Sequence, residues 1–154
     1  MLPKRRTMTD APTHEVRGGF PVHFHYTVGI VGEIFFKGLK EKKLLAVTCK
    51  ECSKTYFPPR MYCEDCFAEL TNEEFKALEQ EGTIESFTKT YKDHRGNSLS
   101  EPYYLALIKI KGSDTVFFHK LINVDEPSIG MTVKPVWSET TRASLFDIIG
   151  FEPA

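Results

Sequence analysis

The chain has almost no net charge: 20 lysines and arginines against 21 aspartates and glutamates leave −1 at neutral pH. That balance argues against nonspecific binding to nucleic acid or to acidic membranes, both of which need a positive field. It also lacks an uninterrupted apolar run. The most apolar stretch, Phe20 to Leu39, is broken by Pro21, His23, His25, Glu33, Lys37 and by Gly29, Gly32 and Gly38, whereas a membrane span needs about 20 predominantly apolar residues. No apolar segment follows the basic start Lys4-Arg5-Arg6, so no secretory signal is expected and the chain reads as cytoplasmic. Internal repeats and low-complexity tracts are missing too. With 41% apolar and 27% charged residues over 154 positions, wholesale disorder and collagen are excluded. The length suits one ordinary domain, or a small module ahead of a domain of about 80 residues.

Cysteine is scarce and concentrated. All four fall between positions 49 and 66, as Cys49-Lys-Glu-Cys52 and Cys63-Glu-Asp-Cys66. Two C-x-x-C knuckles can aim their thiolates at one point, which makes Cys49, Cys52, Cys63 and Cys66 the ligand set of a tetrahedral metal site. Two disulfides would need an oxidising compartment, for which there is no signal. A redox C-x-x-C would not need a second copy nearby. The metal is expected to be structural, because four thiolates leave no open coordination position. A segment of about 25 residues cannot fold on apolar burial alone, and bound zinc supplies on the order of 10–16 kcal/mol. Zinc is the expected ion, although iron shares tetrahedral sulfur ligation.

Around this ribbon the pattern changes. Residues 1–26, with Pro3, Pro12, Gly18, Gly19 and Pro21, read as an irregular arm. Over 27–43, Val28, Val31, Ile34, Phe35 and Leu39 recur at mostly helical spacing, and Lys37, Lys40, Lys42 and Lys43 suit a helix C-terminus. So apolar a helix must bury its face on its own domain or on another protein. Val31, Ile34, Phe35 and Leu39 are the residues expected to dock a partner. The ribbon spans 44–72, and Tyr56 and Phe57 between the knuckles can cover the metal. From 73 to 154 the chain reads as a small barrel with a C-terminal tail. Strands are expected at Glu74–Gln80, Thr83–Lys92, Tyr103–Lys111, Thr115–Ile122 and Met131–Ser138, with a final short segment in Arg142–Phe151. Five short strands point to an OB-like barrel, so the fold class is mainly β: a helix, a zinc ribbon, then a five-stranded OB fold.

A ribbon followed directly by this barrel resembles the zinc-ribbon/OB-fold proteins that accompany thiolases and other acyl-CoA enzymes. The resemblance rests on Cys49-x-x-Cys52, Tyr56-Phe-Pro-Pro-Arg60, Cys63-x-x-Cys66, Gly82-Thr-Ile-Glu-Ser-Phe-Thr88, Pro102-Tyr103 and Ile129-Gly-Met-x-Val133, in that order. It covers about residues 30 to 154. It implies a rubredoxin-like ribbon and a noncatalytic partner of a thiolase-superfamily enzyme, one that helps bind or guide coenzyme A. The small subunit of an acyl-CoA thiolase of aromatic degradation is the setting it points to. Family ribbons often place glycine after each knuckle, whereas this chain has Ser53 and Phe67, which puts the local turn geometry in question.

Three functions follow for weighing. As an accessory subunit, the chain would offer coenzyme A phosphates the cations Lys89, Lys92, Arg95 and Lys120, beside aromatic residues of the barrel. As a single-stranded nucleic-acid module it would need a basic groove with exposed aromatics. Phe117 and Phe118 are adjacent, so only one can face a groove, and the acids around the ribbon oppose this reading. As an enzyme it would need a catalytic set, and His14, His23, His25, His94 and His119 form none that is recognisable. The accessory subunit, in a hetero-oligomer with no membrane partner, is the reading adopted.

Overall fold

The computed structural model describes residues 26–93 and 95–154. The expected arm, apart from Tyr26, and His14, His23, His25 and His94 lie outside the described residues. Helix α1 runs Gly29–Lys40. On its solvent face Glu33 and Lys37 form an i,i+4 ion pair at 2.7 Å, which solvent screens and which adds little to stability. It stops in a Schellman turn. The N–H of Lys43 reaches Gly38 O, that of Lys42 reaches Leu39 O, each at 2.9 Å, and Lys42 takes the left-handed φ of 57° without being glycine.

The opposite face of α1 corrects the docking expectation. Val31, Phe35 and Leu39, at helical spacing, are buried inside the chain's own core, and only Ile34 of the proposed docking residues remains partly exposed. Phe35 packs edge-on against Phe57, with ring centroids 5.8 Å apart. An apolar stripe of this period is satisfied by whatever lies beneath it, and here that is the ribbon strand and the barrel.

Three short strands form the ribbon sheet, in the order β2-β1-β3: β1 (Leu45–Thr48), β2 (Thr55–Tyr56) and β3 (Phe75–Ala77). The strand expected over Glu74–Gln80 is therefore shorter, and it pairs with β1 (Val47↔Phe75, Leu45↔Ala77) rather than entering the barrel. Side-chain alternation along β1 divides the interior in two. Ala46 joins the large core under the helix and barrel, while Val47 joins a small core with Tyr56, Leu70 and the buried Cys49 and Cys63.

The remaining strands close a barrel in the order β4-β5-β6-β8-β7, made of β4 (Gly82–Lys92), β5 (Ser98–Ile110), β6 (Val116–Leu121), β7 (Thr132–Trp137) and β8 (Ile148–Pro153). The fifth strand is thus the C-terminal segment. Pairing is antiparallel except between β6 and β8. Gly82 sits on the closing seam, paired with Ile110 of β5 and Val133 of β7. A Cβ there would come within 2.7 Å of Ile108 and 3.0 Å of the Lys109 carbonyl, so only glycine lets the strands meet. Ala106, Ile108 and Ile110 point inward from β5, and Phe117 and Leu121 from β6, while Phe118 is 58% exposed.

Ribbon and barrel are clamped together. Thr55 N–H donates to the Asp114 carboxylate and Asp114 N–H to Thr55 O, both at 2.8 Å. Phe57 N–H donates to Thr115 Oγ1 at 2.9 Å, and that hydroxyl donates back to Phe57 O at 2.8 Å. The β5–β6 turn thereby completes the backbone hydrogen bonding of the segment between the knuckles.

Candidate functional site

Each knuckle is a tight turn with the same bonding. Ser53 N–H reaches Cys49 O at 2.8 Å and Phe67 N–H reaches Cys63 O at 3.1 Å. Cys49 N–H and Cys63 N–H are received by Lys54 O and Ala68 O, each at 2.9 Å. The turns require a left-handed residue after the second cysteine, and Ser53 (φ 62°) and Phe67 (φ 60°) adopt it. The geometry that glycine would have eased is kept, at a strain of about 1–2 kcal/mol per residue.

These turns bring Cys49, Cys52, Cys63 and Cys66 together, with all four sulfurs within 4.8 Å of one another. The Cys52–Cys63, Cys49–Cys66 and Cys52–Cys66 separations are 3.4, 3.5 and 3.9 Å. A tetrahedral zinc with bonds of about 2.3 Å has sulfur–sulfur edges of about 3.8 Å, and the donor set fits. None of the cysteines is disulfide-bonded; Cys49 and Cys63 are buried, and Cys52 and Cys66 face solvent. The Tyr56 hydroxyl lies 3.2 Å from Cys63 Sγ. It does most to hold the Cys63 thiol down to about 6, helped by the N–H groups of Cys66 and Asp65. Burial, followed by the bond to Cys63, pushes Tyr56 itself up to about 12. Outside the cluster, Lys54 bridges Glu64 at 2.8 Å and Asp65 at 3.0 Å.

The barrel carries a second feature, a cleft of about 350 Å³ bordered by β4, β5 and β6. Of the cations expected to meet phosphate, the cleft gathers two. Lys89 stands 5.2 Å from the Tyr104 ring centroid and Lys120 stands 5.0 Å from that of Tyr103. Cross-strand register explains the first pair, since Lys89 lies opposite Tyr104; Lys120 lies opposite Leu105, diagonal to Tyr103. Lys92 and Arg95 are exposed at the β4–β5 hairpin and do not line the cleft. The sequence alone does not single out Tyr103 and Tyr104 as ligand contacts. Tyr103 had a signal in the Pro102-Tyr103 pair of the family-like stretch and Tyr104 had none, and strand pairing was needed to put lysines over both rings. Glu101 and Asp125 also border the cleft, so it is amphoteric rather than uniformly basic. Among the described residues no helix is long and apolar enough to cross a membrane.

Residues 36–71 match the family model for the ChsH2 rubredoxin-like zinc ribbon domain, and residues 75–138 match that for the ChsH2 C-terminal OB-fold domain. No curated protein sequence matches the chain significantly. Among solved structures, a DUF35-family protein of unknown function from Sulfolobus solfataricus is 27% identical, with a TM-score of 0.64 over 82% of this chain and 87% of that one. A chain of the Ltp2-ChsH2(DUF35) aldolase is 21% identical, with a TM-score of 0.58 over 78% of this chain and 91% of that one, a likeness of fold. Two domain models of one family matched in order, with the four cysteine sulfurs gathered inside the stretch that matches the zinc-ribbon model, make this chain a member of the ChsH2-type family of zinc-ribbon/OB-fold proteins.

Proposed function

We propose that the chain is a noncatalytic accessory subunit of an acyl-CoA enzyme of the thiolase superfamily. Its ribbon side docks on the partner, and its barrel helps hold the coenzyme A part of the substrate. The observation that carries this reading is the likeness to a DUF35 protein solved within an aldolase assembly with Ltp2. An aldolase makes or breaks a carbon–carbon bond, and in that protein the activity belongs to an assembly; the same division of labour is assigned here. The partner's own side chains would cleave or form the bond, while Cys49, Cys52, Cys63 and Cys66 hold the zinc that shapes the ribbon. The Lys89–Tyr104 and Lys120–Tyr103 pairs support a ligand with phosphates and a flat ring, because a cation over an aromatic face offers charge and stacking surface together. Of the four residues first expected to dock a partner, Ile34 alone keeps exposed surface on α1.

The test is native purification of the chain with its co-eluting proteins identified and its zinc quantified. A stoichiometric acyl-CoA enzyme and one zinc per chain are expected. A chain that elutes with single-stranded nucleic acid and no such enzyme would overturn the reading. Cys63→Ser should lose zinc and partner together; a variant that keeps the full complex without zinc would remove the scaffold role from the ribbon.

A further inference from the structure

Tyr56 is fully buried, with 0% of its surface exposed, yet it brings a hydroxyl into the ribbon interior. A buried hydroxyl must place both its proton and its lone pairs. Glu64 N–H donates to the oxygen at 3.1 Å, so the proton is left for the acceptor 3.2 Å away, Cys63 Sγ. The ring is held in place by Lys54 and Arg60, whose charged ends lie 5.7 and 5.3 Å from its centroid. Among the described residues, Tyr56 is the one side chain whose hydroxyl bonds a cysteine sulfur; Cys49, Cys52 and Cys66 show only sulfur neighbours among their side-chain contacts. The backbone bonding of the two knuckles is otherwise nearly the same. The hydroxyl therefore makes the four sulfurs inequivalent.

We propose that Tyr56 is a positioning residue of the metal centre, which fixes Cys63 Sγ and draws electron density from that one thiolate. A divalent ion with four thiolates is left net negative, and half of this site is buried, so a donor aimed at one of the two buried sulfurs offsets charge where water cannot. Phenylalanine would fill nearly the same volume but leave the Glu64 N–H and the sulfur without that partner. The inference rests on the four-thiolate site and is independent of the coenzyme A reading.

Full-length Tyr56→Phe loaded with cobalt(II) tests it. The sulfur-to-cobalt charge-transfer band should move to lower energy than in the parent, because an unbonded thiolate gives up its electrons more readily. Loaded with iron, the variant should show a lower reduction potential, since hydrogen bonds to sulfur raise it. Competition with a chelator should show zinc affinity reduced about 10–100-fold. A variant with a lower melting temperature but unmoved band and potential would mean that Tyr56 only packs, and would overturn the proposal. Should the variant fail to fold, the parent loaded with NMR-active cadmium decides instead. A correlation between the Tyr56 hydroxyl proton and the metal, carried across the hydrogen bond, is expected; its absence overturns the proposal.

Discussion

Tyr56 and Phe57 are neighbours in sequence, both fully buried, and belong to different cores. Tyr56 faces the sulfurs. Phe57 faces the other way, with its ring 5.2 Å from Phe117 of the barrel and 5.8 Å from Phe35 of the helix. The extended backbone between the knuckles thus rivets metal site, helix and barrel through two adjacent side chains.

Phe57→Ala should lower stability by about 3–5 kcal/mol, the range for emptying a buried aromatic site. Ribbon and barrel should unfold in one step in the parent, because the rivet and the Thr55–Asp114 clamp join them. Urea titrations followed by Trp137 fluorescence in the barrel and by zinc release from the ribbon should coincide for the parent. Separated midpoints in the parent would show that the two units are independent.

Phe67→Gly should stabilise the zinc form by about 1 kcal/mol, by removing the strain of a side chain at φ 60°. Little is lost in exchange, since Phe67 is 79% exposed. A rise in melting temperature with undiminished zinc affinity is the expected result. A fall in partner binding with unchanged zinc would instead mark the exposed ring as part of the docking surface.

Lys89→Glu and Lys120→Glu should each raise the KM of the assembled enzyme for a coenzyme A thioester about tenfold, the loss of one charge-assisted contact. The kcat should change little. Stability should move by no more than about 0.5 kcal/mol, since both lysines are exposed. Lys92→Glu and Arg95→Glu, outside the cleft, serve as controls. Equal effects at all four positions would indicate general attraction rather than a site.

His119 packs between Phe117 and Phe151, with ring centroids 5.4 and 5.6 Å away, and its Nδ1 is buried without a hydrogen-bond partner. Burial holds the imidazole below its ordinary 6.5, opposed in part by the backbone of Lys120 and Leu145. The unfolded chain takes up a proton near 6.5 while the folded chain resists until lower pH. Stability present above that point is therefore lost as pH falls below it. Urea midpoints of zinc-saturated protein should decline from pH 7.5 to 6, and His119→Leu should decline less steeply. Identical slopes would clear His119 of the effect.

The metal site was legible because its information is local. Cysteine spacing within one short segment states the ligand set, and the glycine and turn signals between Gly82 and Gly130 mark most of the barrel strands without any knowledge of what they pair with. Tertiary structure decided the rest. The segment expected over Glu74–Gln80 and the C-terminal Ile148–Pro153 are both short and ambiguous, and barrel membership depends on closure with strands far along the chain. Val31, Phe35 and Leu39 have the same period whether they meet their own core or a partner, and only packing shows that they are already covered. Lys89 and Lys120 lie well apart in sequence and share a cleft through the register of β4, β5 and β6. Hydrogen bonding across strands sets such neighbours, and a linear pattern does not record it. Local spacing was enough to specify a zinc ribbon followed by a small β barrel; long-range packing and strand register chose which faces went to the interior and which cations were left standing together.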